Sequence, residues 1–212
     1  MRMTPHGPPI DSCTNDSPMS RRVDPQSFED KYQADSDPWN FATSWYEQRR
    51  YDLIMAMLPK ARYRRCFEPG ASIGELTQRL ALRCDEVVAV EAAPTAARQA
   101  EQLLVGRYPG ASVVQATVPD WWPDGGFDLV VMSEFGYYFE RHALGDLVRR
   151  CVDLLDDDGT FVAAHWRGRS DDHLLHGDEV HDVCRDVLRT SIGQPDFVYV
   201  EAEVHIDVWG RP

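Results

Sequence analysis

Lysine, paired cysteines and long apolar runs are all scarce in this chain of 212 residues. Lys31 and Lys60 are the only lysines among 22 basic residues, 35 residues are acidic, and the formal net charge is −13. A phosphate-backbone partner normally requires a basic face, so this balance argues against a nucleic-acid substrate. No apolar run approaches the roughly 20 residues of a membrane span, and the N-terminus lacks the apolar core of a secretory signal. We therefore expect neither a nucleic-acid nor a membrane partner, and a cytoplasmic location.

The cysteines form no CxxC pair, and their odd number leaves one unpaired in any complete disulfide scheme. They are Cys13, Cys66, Cys84, Cys151 and Cys184. This pattern predicts reduced, mostly buried thiols. The loop around His173 and His176 is rich in histidine and acid, but it has no HExxH or similar spacing. We therefore expect no bound metal.

Length and composition indicate a single packed domain. A chain of 212 residues with 43% hydrophobic residues suits one core. Residues 1–26 mix proline, serine and aspartate without periodicity, which predicts a disordered tail. Residues 27–212 then form the domain. Its first element is a capping helix at about residues 38–58, which ends before Pro59.

After this helix, short apolar runs alternate with helical patterns. Predicted strands are residues 63–68, 86–91, 111–115, 127–133, 160–166, 197–201 and 204–209; predicted helices are 74–82, 94–105, 142–155 and 177–188; an acidic turn lies at 156–159. The last two strands alternate with period two across a short connection, which predicts an antiparallel hairpin. The sequence thus predicts an α/β fold with a seven-stranded mixed sheet, helices on both faces, and a ligand at the carboxyl ends of the strands.

Residues 66–76 read CFEPGASIGEL, a strand end, a glycine-hinged loop and a helix start. Gly70 and Gly74 let the backbone approach a ligand closely, and Glu68 precedes them. The next apolar run ends in Glu91, which can accept both hydroxyls of a ribose. The three-glycine pyrophosphate pattern is absent, which favours a ligand without a diphosphate. By itself, the glycine spacing also fits an ordinary strand-to-helix turn.

Taken together, several segments resemble the class I S-adenosylmethionine (SAM) dependent methyltransferases, and in particular the nodulation protein S (NodS) family. The segments are DPW at residues 37–39, WYEQRR at 45–50, EPGASIG at 68–74, FDLVVMSE at 127–134, and YY at 137–138. The resemblance covers roughly residues 35–210. It implies a Rossmann-like fold and methyl transfer from SAM, with S-adenosylhomocysteine as product. For the family's namesake the acceptor is the free amine of a deacetylated chitooligosaccharide, so the resemblance implies a small-molecule acceptor, most simply an amine.

The resemblance also implies a set of cofactor-binding residues. Glu68, Gly70, Ser72 and Gly74 would hold the methionine half, Glu91 the ribose, Ala92, Ala116, Thr117 and Val118 the adenine, and Ser133 the methionine amino group, with Trp39, Tyr46 and Arg49 folding over the cofactor. Thr117 stands where the family commonly has aspartate, so a backbone N–H is the alternative contact. Only one of Arg49 and Arg50 can point inward. Trp121 and Trp122 either cover the adenine or pack beneath a loop.

Three side chains are candidates for acceptor chemistry. Glu134 ends the fourth strand, where it would orient or deprotonate an amine or else cap the following turn. Tyr137 follows it, next to Tyr138, and one of these tyrosines would contact the acceptor. His165 ends the fifth strand as a possible base or as an ordinary hydrogen-bonded histidine.

Other functions remain open at this stage. An O-methyltransferase would need a firmer base than an enzyme acting on an amine. A nicotinamide-dependent oxidoreductase could use the same sheet, although the missing GxGxxG pattern disfavours it, and a non-catalytic SAM-binding protein would keep the loop alone. The sequence indicates neither the acceptor nor the oligomeric state.

Overall fold

A computed structural model describes residues 22–210, and a seven-stranded sheet with helices on both faces organises them. The strands are β1 (Tyr63–Pro69), β2 (Cys84–Glu91), β3 (Ala111–Gln115), β4 (Phe127–Ser133), β5 (Leu155–Trp166), β6 (Phe197–Val200) and β7 (Val204–Gly210). The helices are α1 (Gln26–Ala34), α2 (Trp45–Met57), α3 (Glu75–Ala81), α4 (Pro94–Leu104), α5 (Arg141–Asp153) and α6 (Gly177–Leu188), with a 3-10 helix at Gly136–Tyr138.

The strand order is β3-β2-β1-β4-β5-β7-β6. Strands β1 to β5 are parallel, whereas β7 is antiparallel to both β5 and β6. The order reverses between β1 and β4, which leaves a crevice at the carboxyl ends of the strands for a ligand. The predicted fold, including the C-terminal hairpin, is confirmed.

Strand β4 explains why one continuous apolar run belongs at the centre of the sheet. Leu129 and Val131 pack on the face that α2 and α3 cover, while Val130 and Met132 pack on the face that α5 and α6 cover. All four side chains are fully buried. Both faces of this strand are therefore core, as expected for a parallel sheet.

The predicted acidic turn at residues 156–159 is instead part of β5. The strand begins at Leu155, which is buried and pairs with Phe127 of β4, and the register shifts before the next pair. Asp157 and Asp158 are exposed along this irregular start. Local polarity suggested a turn, but the buried leucine anchors the segment to the sheet.

The predicted tail extends too far into the domain. Arg22 forms an isolated bridge with Phe139, and α1 begins at Gln26. Glu29 of α1 accepts hydrogen bonds from the Thr95 N–H (2.9 Å) and hydroxyl (2.7 Å) at the start of α4. This tertiary contact stabilises a helix that is too polar to be recognised locally. The rest of the predicted tail lies outside the described residues.

The capping helix begins later than predicted. Residues 37–44 form turns, in which the Asp37 carboxylate accepts the N–H groups of Phe41 (2.8 Å) and Ala42 (2.9 Å). Helix α2 then starts at Trp45. The turns bring aromatic side chains over the crevice, which a straight helix from residue 38 would not do.

The cysteine prediction is confirmed for the four cysteines within residues 22–210, which are free and buried. Cys13 lies outside that range. Among the helices of this part of the chain, none has both the length and the apolar character needed to cross a membrane.

Candidate active site

A cavity of about 500 Å³ opens at the carboxyl ends of the central strands. Its floor comes from Gly70 and Ser72 after β1, Glu91 at the end of β2, Thr117 after β3, and Glu134 after β4. Its volume lies within the range of small-molecule sites. The topological switch between β1 and β4 therefore creates the crevice where the sequence analysis expects a ligand.

The segment before β1 forms the roof of this cavity. Phe28 and Tyr32 of α1 line it together with Trp39 and Phe41. The Trp39 ring lies 5.5 Å from that of Tyr32 and 5.6 Å from that of Phe41. Arg22 fastens the start of this segment through an ion pair of 2.7 Å with Asp120. An aromatic roof of this kind suits a ligand with flat, partly apolar surfaces.

The glycine loop brings bare backbone to the cavity. Gly70 has φ +79°, and a Cβ there would lie 2.7 Å from the Phe135 ring, so a side chain is excluded. Ser72 has φ +53°, and its hydroxyl lies 2.5 Å from the hydroxyl of Tyr32. Gly74 also has positive φ, but a Cβ there would meet Ala100, and the residue does not line the cavity. Gly74 thus serves helix packing, whereas Gly70 serves access to the cavity.

Glu91 is held by backbone donors at the end of β2. Its Oε2 accepts the Ser72 N–H and its Oε1 accepts the Ala93 N–H, each at 2.8 Å. Burial raises the pKa of Glu91, and these N–H groups oppose that shift. Each oxygen keeps a further lone pair for a ligand hydroxyl on the cavity side. The carboxylate is therefore aligned before any ligand binds.

Glu68 and Ser133 line a side cavity of about 30 Å³, which shares Gly70 and Glu134 with the main one. Glu68 Oε2 and Ser133 Oγ are buried and have no hydrogen-bond partner within the described part of the chain. Burial, with a smaller contribution from the charge of Glu91, raises the pKa of Glu68 to about 8. Unpartnered buried polar atoms beside a small cavity indicate a missing polar group from a ligand or a water.

On the opposite wall lies the carboxylate cluster, which consists of Glu47, Arg50, Glu134 and Tyr137. Arg50 is 2% exposed and pairs with Glu47 Oε2 (2.5 Å) and Glu134 Oε1 (3.0 Å). Glu134 also accepts the Trp166 N–H on Oε1 and the Tyr137 hydroxyl on Oε2, both at 2.6 Å. Burial raises the pKa of Tyr137 well above its usual range, so the hydroxyl stays a donor. Oε1 of Glu134 therefore has two partners, and Oε2 has one.

An aromatic pair continues this wall. The His173 ring stacks on Tyr137 with ring centres 3.7 Å apart, and both residues line the cavity with Tyr138. Burial lowers the pKa of His173, which favours the neutral ring. A neutral aromatic surface is thus available beside the carboxylates.

Most of the predicted cofactor residues line the main cavity. These are Trp39, Tyr46, Gly70, Ser72, Glu91, Ala92, Ala116, Thr117 and Val118. Tyr46 presents its ring, because its hydroxyl donates to the Glu203 carbonyl (3.0 Å). Trp121 and Trp122 do not line the cavity and pack against the core instead.

Besides Gly74, two predicted site residues line neither cavity, namely Arg49 and His165. Arg49 turns away from the cavity, forms an ion pair with Glu201 and donates to the Tyr199 hydroxyl (2.9 Å). Of the two adjacent arginines, Arg50 is the one that points inward, because consecutive side chains on a helix point about 100° apart. The sequence pattern could not distinguish them.

His165 is fully buried behind the 3-10 helix and does not line the cavity. Its Nε2 accepts the Gly136 N–H (3.1 Å), and its Nδ1 lies 3.3 Å from His181 Nε2. His181 Nδ1 in turn lies 2.9 Å from Asp207 Oδ2. Burial lowers the pKa of His165 well below its usual range. The prediction that His165 acts as a catalytic base is therefore corrected to a structural role.

Two contributors to the site, Glu47 and Tyr32, were not predicted from the sequence, and Arg50 was predicted only as the alternative to Arg49. Glu47 and Arg50 lie in the WYEQRR segment, where their i, i+3 spacing on α2 was the available signal. Tyr32 lies on α1, a helix that was not predicted from the sequence. The carboxylate cluster joins α2 to β4, so its members become neighbours only after folding.

The sequence model of the nodulation protein S (NodS) family matches residues 24–190. This range includes the roof, the glycine loop and the carboxylate cluster. The chain belongs to the NodS family. It is 30% identical over 131 residues to nodulation protein S of Bradyrhizobium diazoefficiens, which covers 59% of this chain and 61% of that protein. With nodulation protein S of Azorhizobium caulinodans it shares 28% identity over 160 residues, 72% of this chain and 75% of that protein.

Solved structures agree with the NodS-family assignment. A candidate methyltransferase from Pseudomonas syringae is 38% identical, with a TM-score of 0.67 over 79% of this chain and 100% of that one. N-methyltransferase NodS from Bradyrhizobium japonicum, in complex with S-adenosylhomocysteine, has a TM-score of 0.75 at 20% identity, over 88% of this chain and 97% of that one. The latter likeness establishes the fold, and the resemblance predicted from sequence is confirmed.

Proposed function

We propose that this NodS-family protein is a SAM-dependent methyltransferase that methylates an amine of a small molecule. Its relatives carry the name nodulation protein S, and the structure of similar fold is an N-methyltransferase with bound S-adenosylhomocysteine. The observation that carries the proposal is the pairing of two features in one crevice. Glu91 is aligned there for a ribose, and Glu68 Oε2 and Ser133 Oγ, which have no hydrogen-bond partner among residues 22–210, await a polar group.

The residues present fit SAM. At what we name the nucleoside end, Glu91 would accept the ribose hydroxyls, while Ala92, Ala116 and Thr117 would flank the adenine. In the side cavity, Glu68 would meet the methionine amino group. A cationic partner favours the ionised form of a carboxyl whose pKa burial has raised to about 8. Gly70 would let the cofactor lie against the backbone between these two places.

When bound, SAM supplies a methyl group on a sulfonium. A nucleophile can take this methyl group directly, with the sulfur as the leaving group, so no covalent enzyme intermediate is needed. The protein then contributes mainly alignment and exclusion of water, and proximity is worth several kcal/mol in such reactions. The aromatic roof of Phe28, Tyr32 and Trp39 would exclude water. Arg50 and the Tyr137 hydroxyl hold Glu134 rigidly at the acceptor side.

An amine acceptor suits this site better than a hydroxyl. Methylation of a hydroxyl needs a firm base in contact with it. His165 is buried outside the cavity, and the carboxylates that line the cavity are far weaker bases than a hydroxyl requires. An amine needs only to lose the proton that keeps it cationic. The aromatic surfaces of Tyr137 and His173 also suit an amino sugar, which can stack its apolar face on them.

Binding and turnover test this proposal directly. Calorimetry with S-adenosylhomocysteine should give micromolar or tighter binding, and NADH should give none. Methyl-labelled SAM should then label glucosamine or short glucosamine oligosaccharides in preference to the matching glucose compounds. Absence of SAM and S-adenosylhomocysteine binding would contradict methyltransferase function. Label transfer to hydroxyl acceptors alone would contradict the N-methyltransferase assignment.

A further inference from the structure

Glu47 is a buried acid in the cavity wall, and the function proposed above assigns it no role. It lies in the first turn of α2, is 8% exposed and lines the main cavity beside Tyr46. Its protein partner is Arg50, 2.5 Å away, and its Oε2 receives no hydrogen bond of good geometry from the residues at 22–210. A buried carboxylate normally has more partners than this.

The charges around Glu47 do not balance. Arg50 carries one positive charge and lies between two carboxylates, Glu47 and Glu134. Of the other arginines that line the cavity, Arg22 pairs with Asp120 and Arg169 is exposed. When both acids are ionised, the cluster therefore has one negative charge in excess. A cation in the cavity would compensate it.

The two acids of the cluster differ in what they can still accept. Glu134 has three partners, which are Arg50, the Trp166 N–H and the Tyr137 hydroxyl. Within residues 22–210, Glu47 has only Arg50 as a partner. Burial raises the pKa of Glu47 to about 7; the charge of Arg50 lowers it, and the charges of Glu134 and Asp37 raise it. Glu47 can therefore exchange a proton at neutral pH, as a general base must.

We propose that Glu47 is the catalytic residue that contacts the attacking amine and takes its proton. This inference rests on the methyltransferase function proposed above. The acceptor enters as an ammonium ion, and Glu47 removes one N–H proton to leave a neutral amine. The nitrogen lone pair then forms the bond to the methyl carbon while the carbon–sulfur electron pair passes to sulfur. The product leaves as a methylammonium ion, and Glu47 returns its proton to solvent.

Sinefungin tests this role without knowledge of the acceptor. In this analogue of S-adenosylhomocysteine, a carbon that bears an amine replaces the sulfur, so an ammonium stands where the methyl group is transferred. Calorimetry would compare sinefungin with S-adenosylhomocysteine on the wild type, on Glu47→Gln and on Asp52→Asn. Asp52 is an exposed acid on the same helix and is the matched control. We expect Glu47→Gln to weaken the binding of sinefungin by about 10-fold or more and the binding of S-adenosylhomocysteine by less than about twofold.

The pH dependence provides a second readout. The preference for sinefungin over S-adenosylhomocysteine should fall in the wild type as pH drops below about 7, because protonation of Glu47 removes the charge that binds the ammonium. An alkylamine stays protonated in this range. The groups that face Glu47 are Arg50, Glu134, Asp37, Tyr46 and Tyr51, and they remain in Glu47→Gln. In Glu47→Gln the preference for sinefungin should be lower than in the wild type and should not change with pH.

Selective loss of sinefungin, with S-adenosylhomocysteine binding retained as proof of folding, supports the proposal. Parallel loss of both ligands, or no loss of either, overturns it and leaves Glu47 as a structural partner of Arg50. Failure of both ligands to bind the wild type overturns the proposed function and this inference with it.

Discussion

The nucleoside end and the carboxylate cluster hold their acids in different ways. Glu91 is fixed by two backbone N–H groups, those of Ser72 and Ala93, which belong to the loops that flank it. Glu134 is fixed chiefly by side chains, Arg50 from α2 and Tyr137 from the 3-10 helix. The first arrangement depends on loop geometry, and the second depends on the docking of separate elements.

The two arrangements suit different kinds of ligand. Backbone donors tolerate changes in side chains, so the nucleoside end suits a cofactor that every member of an enzyme class must bind. Side-chain networks change with single substitutions, so the carboxylate cluster suits recognition of a particular acceptor. Four variants test this comparison.

The largest effect should come from Arg50→Met. It leaves Glu47 and Glu134 buried without their shared cation, and loss of one partner from such a cluster costs about 3–5 kcal/mol in the free energy of unfolding. Urea denaturation measures it. Arg49→Met on the same helix is the control and should barely move the midpoint. Equal midpoints for the two variants would mean that the cluster does not hold this wall.

Glu91→Gln should abolish most cofactor affinity while the fold persists. The amide can accept one backbone N–H, but its NH₂ group then faces the other donor and cannot accept a ribose hydroxyl. We expect S-adenosylhomocysteine to bind about 100-fold more weakly by calorimetry, about 2.7 kcal/mol. Glu86→Gln on the same strand, an acid paired with Arg65 at the surface, is the control. A similar loss in both variants would contradict the ribose role.

Glu68→Gln should separate stability from binding. The folded pKa of Glu68, about 8, lies above the ordinary value near 4.5, so this group's contribution to stability falls as pH rises from about 4.5 through 8. The unliganded variant should therefore gain stability relative to the wild type across that range, by about 1–3 kcal/mol. S-adenosylhomocysteine should bind about 10-fold more weakly, because the charged partner of its amino group is lost.

Urea midpoints at pH 5 and pH 8, with calorimetry at pH 7.5, measure both effects of Glu68→Gln. The control is Glu101→Gln, which removes an exposed acid from α4. If the difference in midpoint between variant and wild type did not grow with pH, Glu68 would not be the strained acid that its burial indicates.

The smallest effect should come from Arg49→Gln. Its guanidinium bonds Glu201 and Tyr199 at the hairpin, away from the cavity. We expect S-adenosylhomocysteine affinity to change by less than about twofold by calorimetry. A loss of 10-fold or more would restore the prediction that Arg49, rather than Arg50, reaches the cofactor.

Much of the fold was readable from local sequence. The bounds of β3, β4 and α6 agree with prediction, because each is an apolar pattern with clear polar limits. Helix α1 and the start of β5 were not predicted. A contact with Thr95 stabilises α1, and pairing with Phe127 holds the start of β5 in the sheet. Both contacts join residues that are far apart in the sequence, so local propensity does not reveal them.

The sheet and the family could be read from the sequence, and the glycine loop and Glu91 predict the nucleoside end, since the Glu91 carboxylate bonds backbone N–H groups of that loop and of its own strand end. Tertiary structure alone decided which of Arg49 and Arg50 turns inward, that His165 is buried behind Gly136, and that Glu47 shares Arg50 with Glu134. These outcomes depend on which distant elements pack together. A charge pair or a buried ring nitrogen is a property of the packed elements and has no signature in either segment alone.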